Sequence, residues 1–359
     1  MSNPDRSPGK LTGARPLDAL LLAVPAAIAL ALAGGDPLWV FILAALGLIP
    51  LAAVLGTATE QLAERMGPLA AGVLNSTMGN ASELILALAA LRAGLPEIVK
   101  ASLTGSIISN LLLVLGMSIL FGGLKYERQQ IDKSIAASNA TMLFLAAVGL
   151  VVPAVFSLGV FGELGGTHPF LERLSLWTAG VLIVMYGLGL YFQLRSAQRG
   201  GRVRNAAPRR APLRRMLLAV VFIAILSELL VDKLQMAQAA FHGTDLFWGG
   251  VVFALIGNAA EHGVAVMAAR RNDMDLAMAI GVGSSLQIAL LLAPALVFIS
   301  LLFGHPMSLV FTGIEVVAVV LSTVMVGMIA ADGETNWLEG AQLIAVYIIL
   351  VAGFYFVPL

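Results

Sequence analysis

Two glutamates and the polar residues around them are the part of this sequence able to do chemistry. The first group runs Gly79-Asn80-Ala81-Ser82-Glu83 and continues at Gly105-Ser106-Ile107-Ile108-Ser109-Asn110. The second runs Gly257-Asn258-Ala259-Ala260-Glu261-His262 and continues at Gly283-Ser284-Ser285-Leu286-Gln287. Glu261 follows Glu83 by 178 residues, and the same offset pairs Ser106 with Ser284, Gly105 with Gly283, Arg92 with Arg270 and Glu97 with Asp275. The chain therefore carries an internal duplication with one carboxylate per copy. Carboxylates, amide carbonyls and hydroxyls are hard oxygen ligands of the kind Ca²⁺ takes, about six to eight at a time. Cysteine is absent and the four histidines do not cluster in sequence, which disfavours zinc or copper.

The elements that must hold these residues are membrane helices. The chain has 359 residues, is 59% hydrophobic and only 12% charged, whereas soluble domains are about a quarter charged. Net charge is zero, with 21 basic and 21 acidic residues, so nothing in the charge points to nucleic acid. Long apolar runs recur along the chain and read as spans. An all-α polytopic membrane protein with about eleven transmembrane helices is expected, one leading helix followed by two repeats of five.

The expected segments are an amino-terminal tail and leading helix over 1–36, a first repeat over 37–194, a linker over 195–215 and a second repeat over 216–359. In the first repeat, 67–92 and 97–121 are separated by the turn signal Gly94-Leu95-Pro96. The linker holds eight arginines and no acidic residue. Its charge places it in the cytoplasm. The amino terminus is then cytoplasmic too, and the carboxyl terminus outside. Five is an odd number of crossings, so the two copies enter the membrane in opposite senses, an architecture that puts ion sites at the repeat interface near the midplane. A prokaryotic inner or plasma membrane is expected, and the oligomeric state is not legible.

Helical periodicity puts Gly72, Asn75, Ser76, Gly79, Asn80 and Glu83 on one stripe of one span. Ser102, Gly105, Ser106, Ser109 and Asn110 form a stripe on the next, and Gly250, Gly257, Asn258 and Glu261, then Gly283, Ser284 and Gln287, repeat the pattern. Small residues also serve close helix packing, and a lone Asn can be interhelical glue. A glutamate at span centre is different, because its insertion costs at least about 2.5–3.5 kcal/mol. Burial disfavours a bare carboxylate, so a proton or a cation must neutralise it. Glu228 and Glu315 have no acidic counterparts and read either as proton-path groups or as helix-end charges. His262, beside Glu261, has Leu84 as its equivalent and reads as a proton-coupling or a packing residue.

The motifs G-N-A-S-E-L-I with V-K-A-S-L-T-G-S-I-I-S-N, and G-N-A-A-E-H with M-D-L-A-M-A-I-G-V-G-S-S-L-Q-I, resemble the calcium/cation–proton exchanger (CAX) family of the wider cation/Ca²⁺ exchangers. The resemblance covers nearly the whole chain. It implies antiport of cytosolic Ca²⁺ against protons, with the lipid bilayer as the other partner, no resident cofactor and no enzymatic activity. It further implies that Glu83 and Glu261 carry cation and proton in turn, surrounded by Asn80, Asn258, Ser106, Ser284 and Gln287. Relatives often have an acidic segment between the sixth and seventh spans, where this chain is basic. A sodium/calcium exchanger on the same fold is the nearest alternative. An intramembrane hydrolase is disfavoured by the absence of H-E-x-x-H, G-x-S-x-G and cysteine.

Overall fold

A computed structural model of the chain describes residues 19–64, 66–162, 168–197 and 210–357. The chain begins with α1 (Ala23–Leu32) and α2 (Pro37–Ala63), then α3 (Pro68–Met78), α4 (Ala81–Arg92), α5 (Pro96–Gly123), α6 (Lys133–Phe161) and α7 (Pro169–Ala197). The second half gives α8 (Arg210–Asp232), α9 (Leu234–Phe241), α10 (Asp245–Gly257), α11 (Ala259–Ala269), α12 (Met274–Phe303), α13 (Gly313–Ala331) and α14 (Trp337–Phe356). Two short strands, β1 (Gln129–Gln130) and β2 (Glu334–Thr335), pair antiparallel with Gln129 opposite Thr335. Local chemistry sets many of the starts. Proline, whose missing N–H costs nothing in the first turn, opens α2, α3 and α5. Asp36 and Asp132 accept the free amides of α2 and α6, while Thr312 with Glu315 and Asn336 with Glu339 form capping boxes on α13 and α14.

The duplication is visible in the backbone. Shifted by 178, α3 falls on α10, α4 on α11, and α5 on α12. Each copy is broken at the same place, Gly79–Asn80 in one and Gly257–Asn258 in the other. Asn80 and Asn258 leave helical geometry, with φ/ψ of −105°/30° and −88°/4°. Gly and Asn are poor helix formers, so the break lies where the sequence resists it least. This corrects the single stripe expected on the third span. The break separates α3 from α4, leaving Asn75 and Gly79 exposed while Asn80, Ser82 and Glu83 are buried; the side chain of Ser76 lies outside what is described. α5 and α12 each pass through a π-helical stretch, at Ser109–Val114 and Ile288–Leu292. α10 has a third, at Trp248–Phe253.

Taking α3–α4 and α10–α11 each as one broken pair, and α9 as a short connector, the described helices stack as the expected leading helix plus five and five. Seven of them are long and apolar enough to cross a membrane unaided among the described residues. α9 was not expected; it meets α10 at a bend of 113°. The linker is also shorter than expected. Helix α7 runs on to Ala197 and α8 starts at Arg210, since Arg is a good helix former whose stem can lie along apolar surface. Residues 198–209 and the amino-terminal tail lie outside the described residues.

Links fall alternately on opposite faces. On one face β1 meets β2, the Lys125 ammonium donates to the Arg270 carbonyl at 2.9 Å and the Gln129 amide to the Ala269 carbonyl at 2.8 Å. On the other, Lys100 Nζ donates to the Val310 carbonyl at 3.0 Å and Thr244 Oγ1 to the Phe354 carbonyl at 2.7 Å. Between the faces, α5 packs along α10 through Gly105 and Gly250, so closely that a Cβ at Gly105 would overlap the Gly250 backbone. Gly105→Leu should therefore lower the unfolding temperature of the purified protein, overpacking of this kind costing about 1–3 kcal/mol. Gly159→Leu, on an exposed part of α6 with no atom near, should not.

Candidate functional site

The breaks put polar groups of one repeat against the other. A Cβ on Gly257 would stand 3.0 Å from Glu83 Cγ, and one on Gly79 would stand 3.3 Å from Gln287 Oε1. Each glycine is thus the flat spot on which a side chain of the opposite copy lies. A side chain larger than hydrogen at either would push the pair apart.

A hydrogen-bonded lattice joins the copies. Asn80 donates its amide to Gln287 Oε1 at 3.0 Å and accepts from Ser284 Oγ at 2.8 Å. Asn258 donates to Ser106 Oγ at 2.9 Å and to the Ala254 carbonyl at 2.8 Å. The Asn80–Ser284 and Asn258–Ser106 pairs are equivalents under the offset of 178, so the duplication is reproduced in contacts as well as in sequence. Asn110 closes the lattice, its amide lying 3.1 Å from both Asn258 Oδ1 and Ser284 Oγ.

The carboxylates sit within this frame. Glu83 is buried, and the Ser82 hydroxyl reaches its Oε2 at 3.0 Å and the Gly257 carbonyl at 3.3 Å. Glu261 is contacted by Ser284 and lies close enough to Glu83 for the two charges to repel. Its Oε2 is buried and meets no donor among the described residues. A buried oxygen left in that state needs a proton, a water or a cation. Among the described residues no three His, Cys, Asp or Glu side chains cluster. Any further ligands beside the two carboxylates would therefore be neutral oxygens of the lattice, which suits a hard cation as cargo.

The structure thus brings together Glu83, Glu261, Asn80, Asn258, Ser106, Ser284 and Gln287. His262 is not tied to them by any hydrogen bond, and its Nε2 is buried without a partner. Asn110 and Ser82, which the sequence placed within the polar motifs but not among the ion-site residues, are participants too. The offset sets Ile288 opposite Asn110 and Ala260 opposite Ser82, so equivalence between copies gave no signal for either. Glu228 is a helix-end charge, exposed and paired with Arg92 at 3.3 Å. Glu315 is one too: it belongs to the capping box of α13 and accepts from Thr104 Oγ1 at 3.0 Å.

Comparison with known proteins bears on the family and the fold. The chain matches the family described as sodium/calcium exchanger protein over residues 37–195 and 214–356, which takes in both repeats. It is 41% identical to a Ca²⁺/H⁺ antiporter of Aphanothece halophytica, covering 94% of this chain and 96% of that one. It is likewise 41% identical to the Ca²⁺/H⁺ antiporter ChaA of Bacillus subtilis (strain 168), covering 86% and 89%. The solved structure of native YfkE superposes with a TM-score of 0.84 at 38% identity, over 95% of this chain and 99% of that chain. With both repeats matched and such likeness along nearly its whole length, the chain belongs to the sodium/calcium exchanger protein family.

Proposed function

We propose that this protein is a Ca²⁺/H⁺ antiporter that exports cytosolic Ca²⁺, with Glu83 and Glu261 carrying either one cation or two protons. The observation behind this is the meeting of two carboxylates from opposite repeats at one locus, one of them with an oxygen that no protein donor serves. Relatives named Ca²⁺/H⁺ antiporters at 41% identity support the choice of ions.

Coupling follows from the cost of the empty state. Two bare carboxylates side by side in a low-dielectric interior repel and are poorly solvated, a penalty of several kcal/mol per uncompensated charge. One Ca²⁺ or two protons cancel both charges. A carrier that reorients only when neutralised must therefore bring one cargo in each direction, and an exchange of two protons for one Ca²⁺ is electroneutral. The two repeats rocking about the lattice would expose the site to each side in turn. Asn80, Asn258, Ser106, Ser284 and Gln287 supply neutral oxygens and hold the carboxylates in register. Uptake of ⁴⁵Ca²⁺ by proteoliposomes under an imposed pH gradient tests the reading; dependence on Na⁺ in place of the gradient would make it a sodium/calcium exchanger instead.

Three further outcomes are expected. Glu83→Gln and Glu261→Gln should each lower proton-driven Ca²⁺ flux by at least about a hundredfold, since breaking a buried charge set costs roughly 3–5 kcal/mol. The double variant should be no worse than either, and both single variants should purify folded. Substantial flux in one of them, with normal pH dependence, would mean two independent sites. His262→Ala should retain Ca²⁺ binding; a shifted pH profile of exchange would make this residue a proton-coupling group, and an unaltered profile a packing residue. Finally, an epitope within 196–208 should be shielded in intact cells and one after Leu359 accessible, as the arginines of the linker require; the reverse pattern would invert the assigned orientation.

A further inference from the structure

Helices α1 and α8 lie side by side along α2. They converge at Gly47 of α2, where a Cβ would stand 2.8 Å from Leu226 Cδ1 and 3.2 Å from Val24 Cγ2. Beside that point they part, leaving a groove of about 540 Å³ lined by Val24, Ile28, Leu32, Leu51 and Phe222. The lining has no polar side chain, so water gains no hydrogen bond there. A hydrocarbon chain is the occupant that such a surface suits.

The end of α8 below the groove carries charge. Arg215 precedes Phe222 by seven residues, close to two turns, so both stand on one face of α8 about 10 Å apart along it. Arg214 lies beside it, in line with the exposed Leu218 and Val221. Both arginines are exposed, and among the described residues neither pairs with an acidic group. Helices α2 and α8 run antiparallel, Gly47 meeting Leu226 and Leu51 sharing the groove with Phe222. Glu60 and Glu64 of α2 therefore end on the same face, yet they form no ion pair with these arginines. The first turn of α8 has no acidic residue, and the positive end of the helix dipole adds to the two guanidinium charges. The far end of α8 is fixed by Glu228, paired with Arg92 beside the α4–α5 turn. The arginines thus lie on the face that carries β1 and β2.

We propose that groove and arginines form one site for an anionic phospholipid. One acyl chain lies between α1 and α8, and the phosphate and acidic headgroup sit against Arg214 and Arg215. Guanidinium forks suit phosphate oxygens, and basic groups next to a span attract anionic lipid. The bound lipid ties the leading helix to the first helix of the second repeat. The site is independent of the exchange reading, since none of its residues belongs to the lattice around the carboxylates.

The test is lipid retention by the purified protein, measured by native mass spectrometry from a neutral detergent. Phosphatidylglycerol and phosphatidylcholine with the same chains are offered in equal amounts, with glycerol phosphate as a competitor lacking chains. Phosphatidylglycerol should be retained at least about tenfold more than phosphatidylcholine, each arginine contributing to the preference. The double variant Arg214→Gln/Arg215→Gln should lose that preference while unfolding at the same temperature, because neither side chain has a protein partner to lose. Ala29→Trp, which places an indole in the groove from an exposed position, should lower retention of both lipids and leave the protein folded. Equal retention of the two lipids, or an unchanged preference in the arginine variant, would overturn the headgroup assignment. Unchanged retention in Ala29→Trp, failure of that variant to fold, or equal competition by glycerol phosphate would overturn the chain in the groove. Loss of lipid as the protein self-associates would give the groove to a second copy of the chain and overturn the proposal.

Discussion

The structure depends on one constraint: polar groups inside a membrane must be satisfied by protein, because lipid offers no partner. Breaking two helices at Gly79–Asn80 and Gly257–Asn258 creates such groups in the middle of the molecule. Neither repeat satisfies them alone. Asn80 finds its partners on α12, Asn258 finds Ser106 on α5, and Asn110 reaches both Asn258 and Ser284. The copies are therefore held together at the one level where they are least helical. The carboxylates stand at that level too, so the lattice that secures the fold also fixes the site.

The same constraint bears on the carboxylates, Glu83 buried and Glu261 half-buried. Glu83 has the Ser82 hydroxyl, while Glu261 has an oxygen that no donor among the described residues serves. A protein shaped only for stability would fill that position with a donor. Leaving it open costs stability in the bare state and ties the resting energy of the molecule to what is bound. In the exchange proposed above, that link between occupancy and energy would make movement unfavourable until the charge is cancelled.

Asymmetry matters as much as symmetry. Equivalent helices, α5 with α10 and α12 with α3, are packed on one side of the lattice and parted on the other. A Cβ at Gly105 would overlap the Gly250 backbone, whereas one at Gly283 would meet nothing within 4 Å. The network of Thr104, Glu315 and Lys100, on the face opposite β1 and β2, has no acidic or basic equivalent in the other copy and adds to this asymmetry.

Much of this is written in the chain. The offset of 178, the two Gly-Asn-Ala-x-Glu motifs and the odd number of spans per copy together determine an inverted repeat with a carboxylate in each half. Helix periodicity and opposite insertion then require those halves to face one another. Hydrophobic length determines the spans because the bilayer leaves the backbone no other option. What periodicity could not determine is where a helix stops being one. The stripe from Gly72 to Glu83 fits an unbroken helix as well as a broken pair, and only packing against Gln287 and Gly257 decides for the break. The roles of Asn110 and Ser82 were not legible for a related reason, since both bond to groups of the other repeat and neither has a matching residue there. The linker's arginines gave a boundary by charge, whereas helix continues to Ala197 on one side and starts at Arg210 on the other. The inequality of Gly105 and Gly283 was the least legible feature, because identical residues at equivalent positions carry no mark of which pair is closed. That is a property of one conformation, set by how α3 leans in three dimensions and by nothing in the order of the residues.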